Sequence, residues 1–294
     1  MPQNTNLNVS PYFDDFVDSK NYHKVLFKPG FPVQARELTT LQSILQNQVE
    51  KFGQHFFKEG SMVIPGGTTY DPEYFAVKID PNFLNIPVSN YTKILVDQNV
   101  KIKGETSRVE ATIINRLTSS ESIDGFDTLY VKYTKSGTDG ESTVFLDGEN
   151  LITLSSFNYL NTSIAANSQF ARCIVSNSTS IGSAFSVSEG VYFIRGFFVK
   201  NVSSTVILDQ YTNTPTYRVG FLLKEETVGP SSVNSDLYDN AKGFSNESAP
   251  GADRFKLSVT LHRKLITDTN DNDFVELLRV EDGVIKEIVT KTEY

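Results

Sequence analysis

The run containing Asp268, Asn270, Asp271, Asn272 and Asp273 has the carboxylate and amide density of a calcium-binding loop. Calcium in an EF-hand needs a Gly at the sixth position for the sharp turn and a bidentate Glu at the twelfth. Counted from Asp268, those positions hold Asp273 and Arg279, so a solvated hairpin turn is expected instead. Cys173 is the only thiol available for nucleophilic attack. It lies in the apolar run Phe170 to Val175, where a free cysteine behaves as a small buried hydrophobe. His23, His55 and His262 show no local ligand spacing to one another. Gly66, Gly67, Thr68 and Thr69 lack the lysine and the following helix of a phosphate loop. Paired carboxylates are plentiful, but none has a recognisable glycosidase context. The residues therefore assign no convincing active site, and no metal or cofactor is expected from them.

Composition narrows the remaining classes. The chain has 294 residues, 27 Lys and Arg against 35 Asp and Glu, and a formal net charge of −8. A phosphate backbone needs a basic face, so no nucleic-acid partner is expected. Hydrophobic residues make up 39% and aromatics 12%, which is too apolar for a disordered chain. One cysteine excludes an intrachain disulfide framework and a Cys-rich zinc site. The N-terminal residues are polar and Asn-rich, unlike a signal peptide. Apolar runs are strand-sized, such as Val191 to Val199 with Arg195 inside it, far short of the ~20 residues that span a bilayer. No membrane partner is expected.

The elements that would position a functional surface lie at the front of the chain. Residues 1–33 read as an extended arm carrying Phe13, Phe16, Tyr22 and Phe27, with Pro29 and Pro32 excluding helix. These aromatics must be buried, either across the chain's own domain or against a neighbouring subunit. Residues 34–59 hold one amphipathic helix. Leu38, Leu41, Leu45, Gln48 and Phe52 alternate by three and four, the spacing of a coiled-coil seam. Ile44, Val49 and Phe56 widen the stripe, as suits a docked helix, whereas polar Gln48 and His55 suit a bundle whose register they would set. Pattern alone leaves docking and self-association open.

From residue 60 onward the reading is β. Strands are expected at 61–64, 74–79, 93–96, 109–114, 128–133 and 143–146, with Gly, Asn and Asp turns between them. Such spacing points to small antiparallel barrels or sandwiches. The fold class is thus mainly β with one N-terminal helix, α+β overall. The expected organisation is a β domain over 60–100 and 152–228, a small inserted β module over 101–151, and a long loop with a C-terminal β region over 229–294. A weak repeat relates Glu59 to Gly66 with Glu189 to Gly196, each placing an acid and a Gly before an apolar strand that ends at a Gly. The two copies are either paired strands of one sheet or a chance likeness. Strands 255–261 and 273–280 are expected to pair, followed by another at 284–290. The chain stops at Tyr294 without a polar tail, which suggests that it continues or packs on a partner.

Tyr12 to Phe16 and the unbroken run Val25 to Gln46 (VLFKPGFPVQARELTTLQSILQ) carry a resemblance. They resemble a family of tail-associated virion proteins of contractile-tailed, T-even-like phages, notably cyanophages, in which a domain of unknown function begins a longer structural protein. Lys58 to Ser61 resembles the family's helix exit. Asp239 to Gly243, Asn246 and Ala249 to Phe255 resemble its second block. The resemblance implies a non-enzymatic virion component of the baseplate or fibre-attachment region. It also implies a homotrimer bound to other tail proteins, since tails meet trimeric fibres. In that setting Phe13, Phe16, Tyr22, Phe27, Leu38, Leu41, Leu45, Gln48 and Phe52 are the expected assembly residues. The alternative is a receptor-binding module for host surface glycans, with Tyr238, Asp239 and Asn240 as its candidate contacts.

Overall fold

The computed structural model describes residues 3–288 apart from 65, 139, 160–161, 232, 235–236, 239–244 and 246–248. Residues 3–34 contain no strand, only a 3-10 turn at Asp18–Lys20. Helix α1 (Ala35–Phe56) follows the second proline of the arm. Its first turn is closed by the Gln34 amide, which donates to the Glu37 carboxylate at 2.9 Å. Glu37 also lies at the positive end of the helix dipole. The helix stops at Phe57, whose backbone is extended and whose N–H reaches the Gly53 carbonyl at 2.8 Å.

The strands that follow are β1 (Met62–Ile64), β2 (Thr68–Ile79), β3 (Asn82–Phe83), β4 (Ile86–Pro87), β5 (Lys101–Gly104), β6 (Glu110–Leu117), β7 (Asp127–Lys135) and β8 (Asn150–Thr153). Next come β9 (Phe157–Tyr159), β10 (Thr162–Ile164), β11 (Gln169–Arg172), β12 (Thr179–Val187), β13 (Gly190–Ile194), β14 (Phe197–Asn201) and β15 (Ser204–Asp209). The last four are β16 (Tyr217–Val228), β17 (Arg254–Leu265), β18 (Phe274–Glu281) and β19 (Val284–Ile288). Among the described residues they form an eight-stranded sheet in the order β11-β8-β5-β6-β7-β2-β12-β15, a four-stranded sheet β17-β16-β18-β19, and a three-stranded sheet β1-β13-β14. Two short hairpins, β3-β4 and β9-β10, complete the set. All pairings are antiparallel, and the fold is mainly β with an N-terminal helix.

The repeated segments are paired strands. β1 lies beside β13, with Met62 opposite Tyr192 and Ile64 opposite Val191. β13 then turns into β14 through Arg195 (φ 51°) and Gly196 (φ 81°), two consecutive positive-φ residues of the kind that close tight hairpins. This hairpin is the seat of α1. A Cβ on Gly53 would overlap the Phe193 ring, and a Cβ on Gly196 would meet the Glu50 side chain. We expect Gly53→Ala to lower stability by about 1–3 kcal/mol through overpacking, although alanine in a helix is ordinarily preferred over glycine. A lower thermal midpoint with helical circular dichroism retained is the expected readout.

Two large cores divide the body, besides a small cluster of Tyr74, Ala76, Tyr130 and Ala184. The first draws on Val77 and Ile79 of β2, on β5 to β8 and β11, and on Tyr91 and Leu95. The second joins β12 and β13 to β16 and β18 through Phe185, Tyr192, Phe221 and Leu278. The expected inserted module at 101–151 is corrected by these contacts. Its strands β5 to β8 are interior members of the large sheet, joined to β2 through β7 from Phe75 opposite Val131 to Ile79 opposite Asp127. The C-terminal region is likewise not separate, because β17 to β19 complete a sheet on β16.

Three local expectations are also corrected. Residues 93–96 are not a strand but part of a second helix, α2 (Ser89–Asp97). Val88, Tyr91, Thr92 and Leu95 recur at helical spacing and are all buried, which outweighs the short Ile94 to Val96 run. Residues 143–146 join no strand. Phe145 instead turns inward from a loop, with its ring 5.3 Å from that of Tyr133. β17 and β18 do not pair with each other, since each flanks β16. The expected strand at 284–290 spans Val284–Ile288, and its last two positions lie outside the described residues.

Candidate functional site

The acidic run at 268–273 is not a hairpin turn: it crosses β16 from the end of β17, opposite Tyr217, to the start of β18, opposite Leu222, and its carboxylates face protein cations. Arg218 grips Asp271 with two nitrogens at 3.1 and 2.6 Å and also reaches the Asp268 carbonyl. Lys264 lies 3.6 Å from Asp268. Asp273 pairs with Arg195 at 2.7 Å. Among the described residues no group of three or more His, Cys, Asp or Glu is placed to hold a metal ion. Cys173 is fully buried, and burial pushes its thiol well above the ordinary range, opposite to what a nucleophile requires. No helix among the described residues is long and apolar enough to cross a membrane.

The front of the chain is different. Two parallel tracks run along α1. Ser43, Gln46, Glu50, Gly53 and Phe57 follow one track and face the body. Ser43 donates to the Asp14 carboxylate, Gln46 donates to the Gly196 carbonyl at 2.8 Å, and the Phe57 ring lies 5.8 Å from that of Phe193. Thr40 joins them, bonding Asp14 at 3.1 Å and Asp15 at 2.8 Å, and Ile44 is buried beside it. Leu38, Leu41, Leu45, Gln48 and Phe52 form the second track, displaced by five residues. At 3.6 residues per turn that is about 140° around the axis, so it points away from the body.

The exposures agree with this geometry. Leu38 is 49% exposed, Leu45 59% and Phe52 64%. Gln48 is exposed and Leu41 half-buried. Val49 and Phe56 extend the same outward face. The helix therefore docks by a small and polar stripe and leaves its apolar stripe uncovered. Single scattered hydrophobes are ordinary on a protein surface, whereas these recur along one face of one helix.

The arm is pinned at its start and free afterwards. The Glu225 carboxylate accepts from the backbone amides of Asn4 and Thr5 at 3.0 and 2.8 Å and from the Thr5 hydroxyl at 2.6 Å. Burial pushes the Glu225 carboxyl up, but these bonds and the Arg195 guanidinium at 2.5 Å outweigh it and hold it below its ordinary range. Tyr12 reaches Asp253 at 2.5 Å, Asp14 lies under α1, and Asp18 pairs with Lys51 at 2.6 Å. Among the expected arm residues, Phe16 is half-buried, while Phe13, Tyr22 and Phe27 are exposed. Of the four named aromatics only Phe16 is thus partly covered by the chain itself, although the backbone of the arm is pinned to it through Asp18.

Sequence reasoning missed two arm residues and one anchor. Leu26 (79% exposed) and Phe31 (72%) are the most exposed apolar side chains of the arm, and their neighbours Pro29 and Pro32 were the available signal. Arg195 is 2% exposed and holds the arm's anchor Glu225. Its signal was a cation inside an otherwise apolar run. Asp239 and Asn240 of the candidate glycan contact lie outside the described residues, as do 241–243 and Asn246 of the second resembling block.

The sequence model of a family described as a domain of unknown function (DUF4815) matches residues 10–106, from the arm through α1 and α2 to β5. No curated protein and no solved structure matches the chain. The matched stretch is similar to that family and contains both the free arm and the uncovered stripe of α1.

Proposed function

We propose that the chain is a non-enzymatic structural subunit of a contractile phage tail, in the baseplate or fibre-attachment region, and that it assembles as a homotrimer through the outward stripe of α1. The observation that carries self-association is the uncovered Leu38, Leu45 and Phe52 series on a helix already docked by its opposite face. Apolar side chains recurring every 3.5 residues are suited to a bundle in which they meet their equivalents around an axis. Gln48 then occupies a core position, where a polar residue sets register at a cost in stability. The tail setting and the three-fold count are supported by the resemblance of residues 12–46, and the exposed arm supplies a second surface for neighbouring tail proteins.

The test has two parts. Sedimentation of the purified chain is expected to give three times its 32.8 kDa. Mass spectrometry of purified particles is expected to find the chain in the tail fraction at a copy number divisible by three. A chain absent from particles, or present only in the infected-cell extract, contradicts the structural role.

A further inference from the structure

Helix α1 is fastened to the β body along its second half. Among the described residues Gln46 is the first of α1 to hydrogen-bond that body, and the close approaches of Glu50 to Gly196 and of Gly53 to Phe193 follow it. The front of the helix, from Ala35, therefore projects about 16 Å past Gln46 at 1.5 Å per residue. None of the three apolar cores contains a side chain of α1. Yet Ile44 is 2% exposed and Thr40 is buried on the same face. Helices gain most of their stability from tertiary packing, so this half needs a cover that the β body does not supply.

The start of the arm lies where that cover is needed. Asp14 is itself buried and accepts from the hydroxyls of Thr40 and Ser43, and Asp15 accepts from Thr40 as well. The same segment is tied at its other end to the four-stranded sheet. Asn4 and Thr5 are held by Glu225 of β16, and Tyr12 by Asp253, the residue before β17. Residues 3–18 contribute to none of the cores. Their backbone–backbone bonds are internal, from Tyr12 and Phe13 to the Val9 carbonyl and from Asp14 to the Leu7 carbonyl. Those bonds draw Leu7 to Asp14 into one compact turn, so the Tyr12 and Asp14 attachments belong to a single unit.

We propose that residues 3–18 are an intramolecular strap: tied to the four-stranded sheet through Glu225 and Asp253 and to α1 through Asp14 and Asp15, they hold the front half of the helix in place. Loss of either set of ties frees residues 35–44 to open locally while the second half of α1 stays seated on the β13–β14 hairpin. Leu38 and Leu41 lie on the strapped half, so the strap also fixes the front of the proposed seam. That consequence rests on the self-association reading above, whereas the strap itself does not.

The test reads amide hydrogen exchange by mass spectrometry in the full-length chain carrying Leu45→Asp, which removes the proposed seam and leaves the strap as the protection of the front half. Thr5→Pro with Tyr12→Phe takes away the Thr5 amide and hydroxyl donors and the Tyr12 phenol, whose bonds go to Glu225 and Asp253 and not to α1. In that variant peptides covering 35–44 are expected to exchange about tenfold faster, and those covering 46–57 and β16 to stay within about twofold of their parent. Thr40→Val with Ser43→Ala cuts the other end and is expected to give the same pattern. Unchanged exchange over 35–44 in the Thr5, Tyr12 variant overturns the strap, because the front half then stands without it. An equal rise over 35–44, 46–57 and β16 overturns it too, because the loosening is then general. Sedimentation of the chain without Leu45→Asp tests the seam separately: a monomer there removes the seam and leaves the strap standing.

Discussion

Leu45→Asp is expected to convert the proposed trimer into a folded, soluble monomer, and Phe52→Asp to do the same. Leu45 is 59% exposed in the single chain, so the substitution removes little from the folded monomer. Surface changes of this kind usually stay within about 0.5 kcal/mol. In a three-fold bundle the same side chain is buried three times over. At roughly 1.5–3 kcal/mol per buried leucine, the loss is about 5–9 kcal/mol per trimer before any carboxylate repulsion is counted. The association constant falls at least a thousandfold, since about 1.4 kcal/mol is tenfold. Sedimentation velocity with unchanged far-ultraviolet circular dichroism is the readout. A variant that stays trimeric would mean that α1 is not the seam.

Arg195→Met is expected to be the most destabilising single substitution in the β region. Arg195 occupies a positive-φ hairpin position, yet its side chain turns inward to Glu225, Asp273 and the Asn272 carbonyl. Its own backbone N–H is bound by Glu59 at 2.8 Å. Methionine fills similar volume but leaves the Glu225 carboxylate without its cation, a change that costs about 3–5 kcal/mol when a buried pair is broken from one side. A chain of this size then loses roughly 10 °C in thermal midpoint. Adding Glu225→Gln should recover part of the loss, because the stranded charge is gone. The sign of the pH dependence follows from the same pair. The Glu225 carboxyl is held below its ordinary range in the fold, so its stabilisation is complete above the unfolded value and is lost as pH falls through the folded one. Wild type therefore loses this contribution below about pH 4.5, and Arg195→Met shows a weaker acid dependence. A double variant no more stable than Arg195→Met would show that lost packing, not the stranded carboxylate, is the cause.

How legible these features were depends on how local their determinants are. The apolar stripe of α1 was readable because its alternation by three and four lies within a single helix. The choice between docking and self-association was not, because both stripes exist and only contacts with Gly196 and Phe193 show which one docks. The pairing of β1 with β13 was readable despite its long separation, because both segments share an acid-Gly entry and an apolar strand. α2 was hidden by Ile94 to Val96, which is β-like over so short a window. Its helical period appears only when Val88 and Tyr91 are included. The large sheet was misdivided at 101 and 151 because β7 joins β2 through a non-local ladder, which no local pattern announces. Arg195 was visible as an interruption, but its partners lie 30 and 78 residues away.

Disulfide trapping tests the central claim most directly. Cys173 is buried, so a single introduced cysteine is the only accessible thiol. Leu45→Cys places that thiol on the outward stripe, and Gln54→Cys places it on an exposed position away from the stripe. Under mild oxidation Leu45→Cys is expected to give a covalent dimer on a non-reducing gel while Gln54→Cys remains single-chain. Equal, slow cross-linking of the two variants would contradict an α1 seam on a symmetry axis.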